Sequence, residues 1–235
     1  MTVSASYFDG MYARSPDPWG FTSRWYEARK YAVTMAMLPK AHYRDAFEPG
    51  CSIGVLSDLL APRCQHLLCC DIAPAAVKAA EERTAAHRNV QVQQRAIPPG
   101  WPEGQFDLIV LSEILYYFAG PELDQVLNLA VAALRPGATL LAVHWRHPVA
   151  EYPRSGDSVH AALAARPELA RLAGYTDPDF IAETYLAGQG QPISVAAAEG
   201  LLDGDARASD SRHEAAGRAA PPEWPWETGE RRSLS

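Results

Sequence analysis

The chain has 235 residues, 48% of them hydrophobic, and a formal net charge of −7, which suits one α/β domain with a tail and a sizeable core. Its arginines are spread without a basic stripe, which argues against a nucleic-acid substrate, and no apolar run approaches the length of a membrane span. With no basic-then-apolar leader at the N-terminus, the expectation is a cytoplasmic protein acting on a small or neutral partner.

In chain order, an aromatic-rich stretch from Tyr7 to Phe21 precedes a predicted helix from Ser23 to Met37, with Trp25, Tyr26, Ala28 and Ala32 available for burial and Pro39 ending it. From Asp45 onward strands and helices alternate. Asp45–Glu48, His66–Asp71, Val90–Gln94, Phe106–Leu111 and Ala138–His144 read as strands; helices are predicted after Gly50 to Leu60, over Pro74–His87 and over Pro121–Leu134. That alternation predicts a parallel sheet wound with helices on both faces. Ser158–Ala165 then reads as a helix. Leu169–Tyr175 and Phe180–Leu186 read as two strands joined by the turn residues Thr176-Asp177-Pro178-Asp179, so the seven-stranded sheet should end in an antiparallel hairpin. From Gly188 to Ser235 the sequence loses periodicity and predicts a disordered tail, with Trp224 and Trp226 its only large anchors. The expected division is an N-terminal cap over 1–40, a core over 41–187 and a tail over 188–235.

Cys51, Cys64, Cys69 and Cys70 lack zinc-site spacing and read as reduced core thiols. His42, His66, His87, His160 and His213 are too scattered to suggest a metal site.

The turn Glu48-Pro49-Gly50-Cys51-Ser52-Ile53-Gly54 follows the first strand, and Asp71 closes the second. Glycines at a strand-to-helix turn let the backbone approach a ligand, and a carboxylate at the next strand tip can accept both hydroxyls of a ribose. A dinucleotide reading requires Gly-x-Gly-x-x-Gly, but Ser52 and Val55 stand at the second and third glycine positions. Glu48 suits a cationic cofactor better than an anionic one. S-adenosylmethionine carries a sulfonium and an ammonium and has no phosphate, so it is the expected cofactor.

These segments, with Asp71-Ile72 and Phe106 to Tyr117, resemble class I S-adenosylmethionine-dependent methyltransferases of the nodulation protein S (NodS)-like family. The resemblance runs from Tyr7 to Leu186 and includes Asp17-Pro18-Trp19 and Glu27-Ala28-Arg29-Lys30. It implies a Rossmann-like methyltransferase fold and methylation of the free amine of a deacetylated amino sugar or oligosaccharide. An O-methyltransferase or a non-catalytic cofactor-binding module are the alternatives. His144-Trp145-Arg146-His147-Pro148 is less like NodS and leaves the acceptor open.

By resemblance, Gly50 and Gly54 would line the methionine portion with Glu48 and Cys51 beside it, and Asp71 would hold the ribose. Ile72 would pack on adenine, whose edge would be read at Ala96 and Ile97, by backbone contact rather than by the Arg95 side chain. Trp19 is either a lid over the cofactor or a plain anchor. Ser112 to Tyr117 follow the fourth strand, where the acceptor meets the methyl group in this fold; Ser112 would touch cofactor. Glu113 would orient or deprotonate an ammonium, or only bind cofactor or cap a loop. Tyr116 or Tyr117 would face the sulfonium or a sugar, the other lying in the core because adjacent residues rarely face the same way. His144 or His147 would transfer a proton, or play a structural or substrate-orienting part. The lack of an obvious His-Asp or Lys-Asp pair favours nitrogen over oxygen as acceptor, since a neutral amine needs no strong base.

Overall fold

Apolar runs and amphipathic segments, each too short to bury its own face, assemble into one seven-stranded sheet. The computed structural model describes residues 2–202. Two helices come first, α1 (Ala5–Arg14) and α2 (Trp25–Ala36). The strands are β1 (Tyr43–Pro49), β2 (Cys64–Asp71), β3 (Val90–Gln94), β4 (Phe106–Ser112), β5 (Leu134–Trp145), β6 (Leu169–Thr176) and β7 (Phe180–Ala187). Between and after them lie α3 (Val55–Leu60), α4 (Pro74–Thr84), α5 (Gly120–Ala133), α6 (Gly156–Ala164) and α7 (Val195–Ala198).

The strand order is β3-β2-β1-β4-β5-β7-β6. Five strands run parallel; β7 pairs antiparallel with β5 and with β6, as the terminal hairpin predicts. The order reverses between β1 and β4, opening a crevice at the carboxyl ends of both.

Leu108, Ile109, Val110 and Leu111 on β4 are all fully buried because both faces are covered. Their period-two alternation sends Ile109 and Leu111 into one core and Leu108 and Val110 into the other. β5 begins at Leu134, earlier than expected, and a register shift opposite Phe106/Leu108 absorbs Pro136-Gly137.

The N-terminal stretch holds a helix that its aromatic composition concealed: α1 buries Tyr12. On α2 the buried face differs from the expected one. Glu27, Lys30, Tyr31 and Thr34 point inward, whereas Trp25 is 79% exposed and Ala28 and Ala32 are exposed. Their spacing of three, four and seven residues is one helical face, and its charges are tolerated because they pair inside. The predicted tail begins with the short α7; residues 203–235, with Trp224 and Trp226, lie outside the described residues. Among the described residues no helix is long and apolar enough to cross a membrane, and none of their His, Cys, Asp and Glu groups is placed to hold a metal ion. All four cysteines are free and buried, and burial pushes the Cys64 and Cys70 thiols up to about 12.

Candidate functional site

A cavity of about 560 Å³ lies over the crevice between β1 and β4 and is roofed by α1, α2 and the segment joining them. Its lining divides by chemistry into two ends.

At one end the turn after β1 meets the tip of β2. Gly50 and Cys51 N–H both donate to Cys70 O, at 2.7 and 3.0 Å, which folds the turn across β2. Gly50 has φ +73°, which strains any side-chain-bearing residue, and a Cβ there would press on the tip of Ile114, 2.6 Å from Cδ1. Asp71 Oδ2 accepts from Ser52 N–H and Oδ1 from Ala73 N–H, each at 2.9 Å. Burial raises the Asp71 carboxyl above its ordinary value, and the backbone N–H groups of Ala73, Ser52 and Ile72 oppose that rise. Each carboxylate oxygen keeps a lone pair for a ligand. Tyr12 Oη lies 2.6 Å from Ser52 Oγ, and its ring meets Trp19 edge-on while Trp19 stacks on Phe21. Ile72, Ala96 and Ile97 complete this end. Arg95 also lines this end, its guanidinium donating to Gln93 Oε1 and to Gly100 O.

At the other end Lys30, 3% exposed, stands between two carboxylates. Its Nζ donates to Glu113 Oε1 at 2.7 Å and lies 2.9 Å from Glu27 Oε2. Burial acts to lower the Lys30 ammonium, but Glu113 and Glu27 outweigh it and hold it above its ordinary value. Burial raises the Glu27 carboxyl despite Lys30 beside it. Glu113 Oε2 accepts from Trp145 N–H at 3.0 Å and from the Tyr116 hydroxyl. Glu113 itself has φ +54°, a left-handed conformation that a non-glycine residue adopts at a cost. Tyr26, Tyr117, Trp145 and Tyr152 supply aromatic walls, with Tyr116 stacked on Tyr152 at 4.9 Å.

Trp19, Gly50, Asp71, Ile72, Ala96, Ile97, Glu113 and Tyr117 are thus brought to one cavity. Tyr116, 5% exposed, belongs to the main core cluster, as expected of one of the pair, while Tyr117 is half-buried against it; both touch the cavity. They belong to a tight one-turn helix over Leu115–Tyr117, in which Leu115 and Tyr116 are the buried residues.

The remaining candidates are elsewhere. Glu48, expected beside the cofactor, is 2% exposed beneath the turn, where Ser57 Oγ donates to Oε2 at 2.6 Å and the Cys69 thiol lies 3.5 Å away. Burial pushes its carboxyl up to about 7 despite those two donors, so Glu48 is a poor source of negative charge for a cation. Cys51 packs in the core, and Ser112 lies within the β4–β5 ladder opposite Val143; neither lines the cavity. Gly54 (φ +76°) faces α4, where a Cβ would stand 2.9 Å from Ala80 Cα, so its need for glycine comes from helix contact. His147 is exposed, with Nε2 2.9 Å from Asp179 Oδ1.

His144 is fully buried behind the cavity. Its Nε2 accepts Leu115 N–H at 3.2 Å, which leaves the proton on Nδ1 to be donated to His160 Nε2 at 3.0 Å. His160 Nδ1 then donates to Glu183 Oε2 at 2.7 Å. Burial, with His160 and Lys30 nearby, keeps the His144 imidazole well below its ordinary value and therefore neutral. Burial opposes ionisation of Glu183, but His160, Tyr185 and Arg171 outweigh it and hold the carboxyl down to about 2. With both nitrogens engaged, His144 supports the Leu115–Tyr117 turn and offers nothing to a ligand proton.

Glu27, Lys30, Tyr12, Tyr26 and Tyr152 were missed as site residues. The available signal was on α2: two opposite charges at i, i+3 share a face with Tyr31 and Thr34, an arrangement that serves no solvated surface.

A family model described as nodulation protein S (NodS) matches residues 12–160. A nodulation protein S of Bradyrhizobium diazoefficiens is 31% identical over 127 residues, 53% of this chain and 61% of that protein. The chain therefore spans less than two thirds of that curated relative's length. A solved structure described as a putative methyltransferase from Pseudomonas syringae is 44% identical and superposes with a TM-score of 0.63, over 69% of this chain and 99% of that one. The N-methyltransferase NodS from Bradyrhizobium japonicum WM9, solved with S-adenosyl-L-homocysteine, superposes with a TM-score of 0.71 at 20% identity over 79% of this chain and 99% of that one, a likeness of fold.

Proposed function

This chain belongs to the nodulation protein S family, and from that membership we propose that it is an S-adenosylmethionine-dependent methyltransferase acting on the nitrogen of a small amine, such as a deacetylated amino sugar or oligosaccharide. The observation that carries the reading is the sharing of one cavity by the Gly50–Asp71 turn and the carboxylate of Glu113. A nucleoside and a positively charged neighbour then fit side by side.

In this reading Asp71 accepts the ribose hydroxyls, the turn at Gly50 and Ser52 lets the methionine portion approach, and Ile72, Ala96 and Ile97 hold the adenine. Asp71 keeps free lone pairs at a strand tip, and a side chain at Gly50 would narrow the cavity against Ile114. When bound, the cofactor supplies an electrophilic methyl on a sulfonium. The protein's own part is positioning, which in favourable systems contributes up to about 7–11 kcal/mol. Glu113 orients the amine, Tyr116 and Lys30 hold that carboxylate in place, and the aromatic walls exclude water. Residues 1–40 serve as a cap over 41–187, with Trp19 and Tyr12 closing on the nucleoside end.

Calorimetry with S-adenosylmethionine and with NAD tests the cofactor: binding of NAD alone would overturn it. Mass spectrometry of glucosamine oligomers, with and without N-acetyl groups, after incubation with labelled cofactor tests the acceptor. Methyl gain confined to free-amine sugars is expected; gain on a hydroxyl would make the protein an O-methyltransferase, and binding without turnover of any acceptor would make it a non-catalytic module.

A further inference from the structure

The charged end of the cavity is incomplete in a specific way. Among the described residues Lys30 is the one cation buried between Glu27 and Glu113, so two carboxylates face one ammonium. Of the other cations lining the cavity, Arg24 is exposed and Arg95, at the opposite end, is engaged with Gln93 and Gly100 O. Glu113 is the better satisfied of the two: Oε2 takes Trp145 N–H and the Tyr116 hydroxyl, while Oε1 takes Lys30 and keeps one lone pair. Glu27 is different. It is 5% exposed, and its Oε2 touches Lys30 at 2.9 Å without the geometry of a hydrogen bond, leaving it among the buried oxygens that lack a partner. The buried Tyr26 hydroxyl also lacks one, and Tyr26 lines the same cavity. A buried hydroxyl without a partner and a carboxylate that shares its one cation with Glu113 leave room for a further donor, and a cationic donor satisfies both the hydrogen bonding and the charge. A ligand carboxylate or phosphate would instead add like charge to the pair. The Tyr26 ring, edge to face with Trp145 at a centroid distance of 5.2 Å, already carries one cation, with Lys30 Nζ 5.1 Å from its centroid.

We propose that Glu27, with the Tyr26 hydroxyl, forms a subsite for the primary ammonium group of a ligand bound in this cavity. Two sources carry that chemistry, the amino-acid end of the cofactor and the acceptor amine. The subsite rests on the cofactor reading above, because that reading puts both ammonium groups within the cavity.

The test is calorimetry on the full chain and on Glu27→Gln. The probes are S-adenosylhomocysteine, its decarboxylated analogue, which keeps the ammonium, and 5′-methylthioadenosine, which has no amino-acid portion. If the cofactor supplies the group, Glu27→Gln weakens the first two by about 10-fold or more and leaves methylthioadenosine unchanged. The unchanged probe also shows that the nucleoside end of the variant is folded. If the acceptor supplies it, all three nucleosides bind the variant as they bind the wild type. Glucosamine added to the S-adenosylhomocysteine complex then loses about 10-fold or more in affinity. The proposal is overturned if neither ammonium is weakened, or if all three nucleosides weaken together. Failure of the wild type to bind any of the nucleosides would instead overturn the cofactor reading, so the two failures are separable.

Discussion

The two ends of the cavity neutralise a buried carboxylate by different means. At the nucleoside end Asp71 is held by main-chain N–H groups of Ser52 and Ala73, contributed by its own βαβ unit. At the charged end Glu113 is held by Lys30 from α2, by the Tyr116 hydroxyl and by Trp145 N–H from β5. Backbone donors remain whatever side chain is changed nearby. A side-chain counter-ion can be deleted, and what it leaves is a charge stranded in a dry place. The charged end should therefore be the more fragile, and the nucleoside end should lose ligand before it loses fold.

The strongest way to break this comparison is Lys30→Met, which leaves Glu27 and Glu113 facing each other without a cation. It should cost about 3–5 kcal/mol in urea unfolding at neutral pH. A cost below about 1 kcal/mol would show that the pair is solvated or protonated, and the contrast would collapse.

Beneath the nucleoside end, Glu48 offers a test by pH. Its carboxyl is raised from 4.5 to about 7, so between those values the folded protein holds a proton that the unfolded chain has lost. Stability from this group is complete below pH 4.5 and falls as pH rises through about 7, by on the order of 3 kcal/mol. Unfolding measured from pH 5 to 8 should show that decline, and Glu48→Gln should remove it. A decline of equal size in the variant would assign the effect to other groups.

Asp71→Ala should weaken S-adenosylmethionine by about 1.5–3 kcal/mol in calorimetry while the melting temperature changes little. Unfolding in place of ligand loss would mean that the turn depends on Asp71 as strongly as the charged end depends on Lys30. The smallest effect is expected behind the cavity. His160→Gln interrupts the chain from Leu115 through His144 to Glu183 and should cost about 1 kcal/mol of stability. Nitrogen NMR of His144 should show Nδ1 protonated and Nε2 bare in the wild type; the reverse tautomer would mean that His144 does not hold the Leu115 amide.

Much of the fold was legible because its signals are local. Val90–Gln94 stands as a strand with the predicted bounds, and the Thr176–Asp179 turn does join an antiparallel pair. Gly50 and Asp71 could be found because a positive-φ turn and a strand-tip carboxylate are properties of one short segment. Glu48 stands next to the turn in sequence but lies beneath it in space, where burial disfavours its charge. α2 misled because apolar residues are expected inward, whereas Glu27 and Lys30 turn inward to meet Glu113, more than eighty residues away in the chain. His144 and His160 looked unrelated until β5 and α6 came together.

Hydrophobic alternation, turn residues and the Gly50–Asp71 spacing determined a doubly wound sheet with a glycine turn facing a strand-tip carboxylate, since each depends on neighbours within a few residues. Which charges face the cavity was decided only in three dimensions. A buried ion pair depends on the distance between segments and on the water removed from around them, and neither is written in any one stretch of sequence.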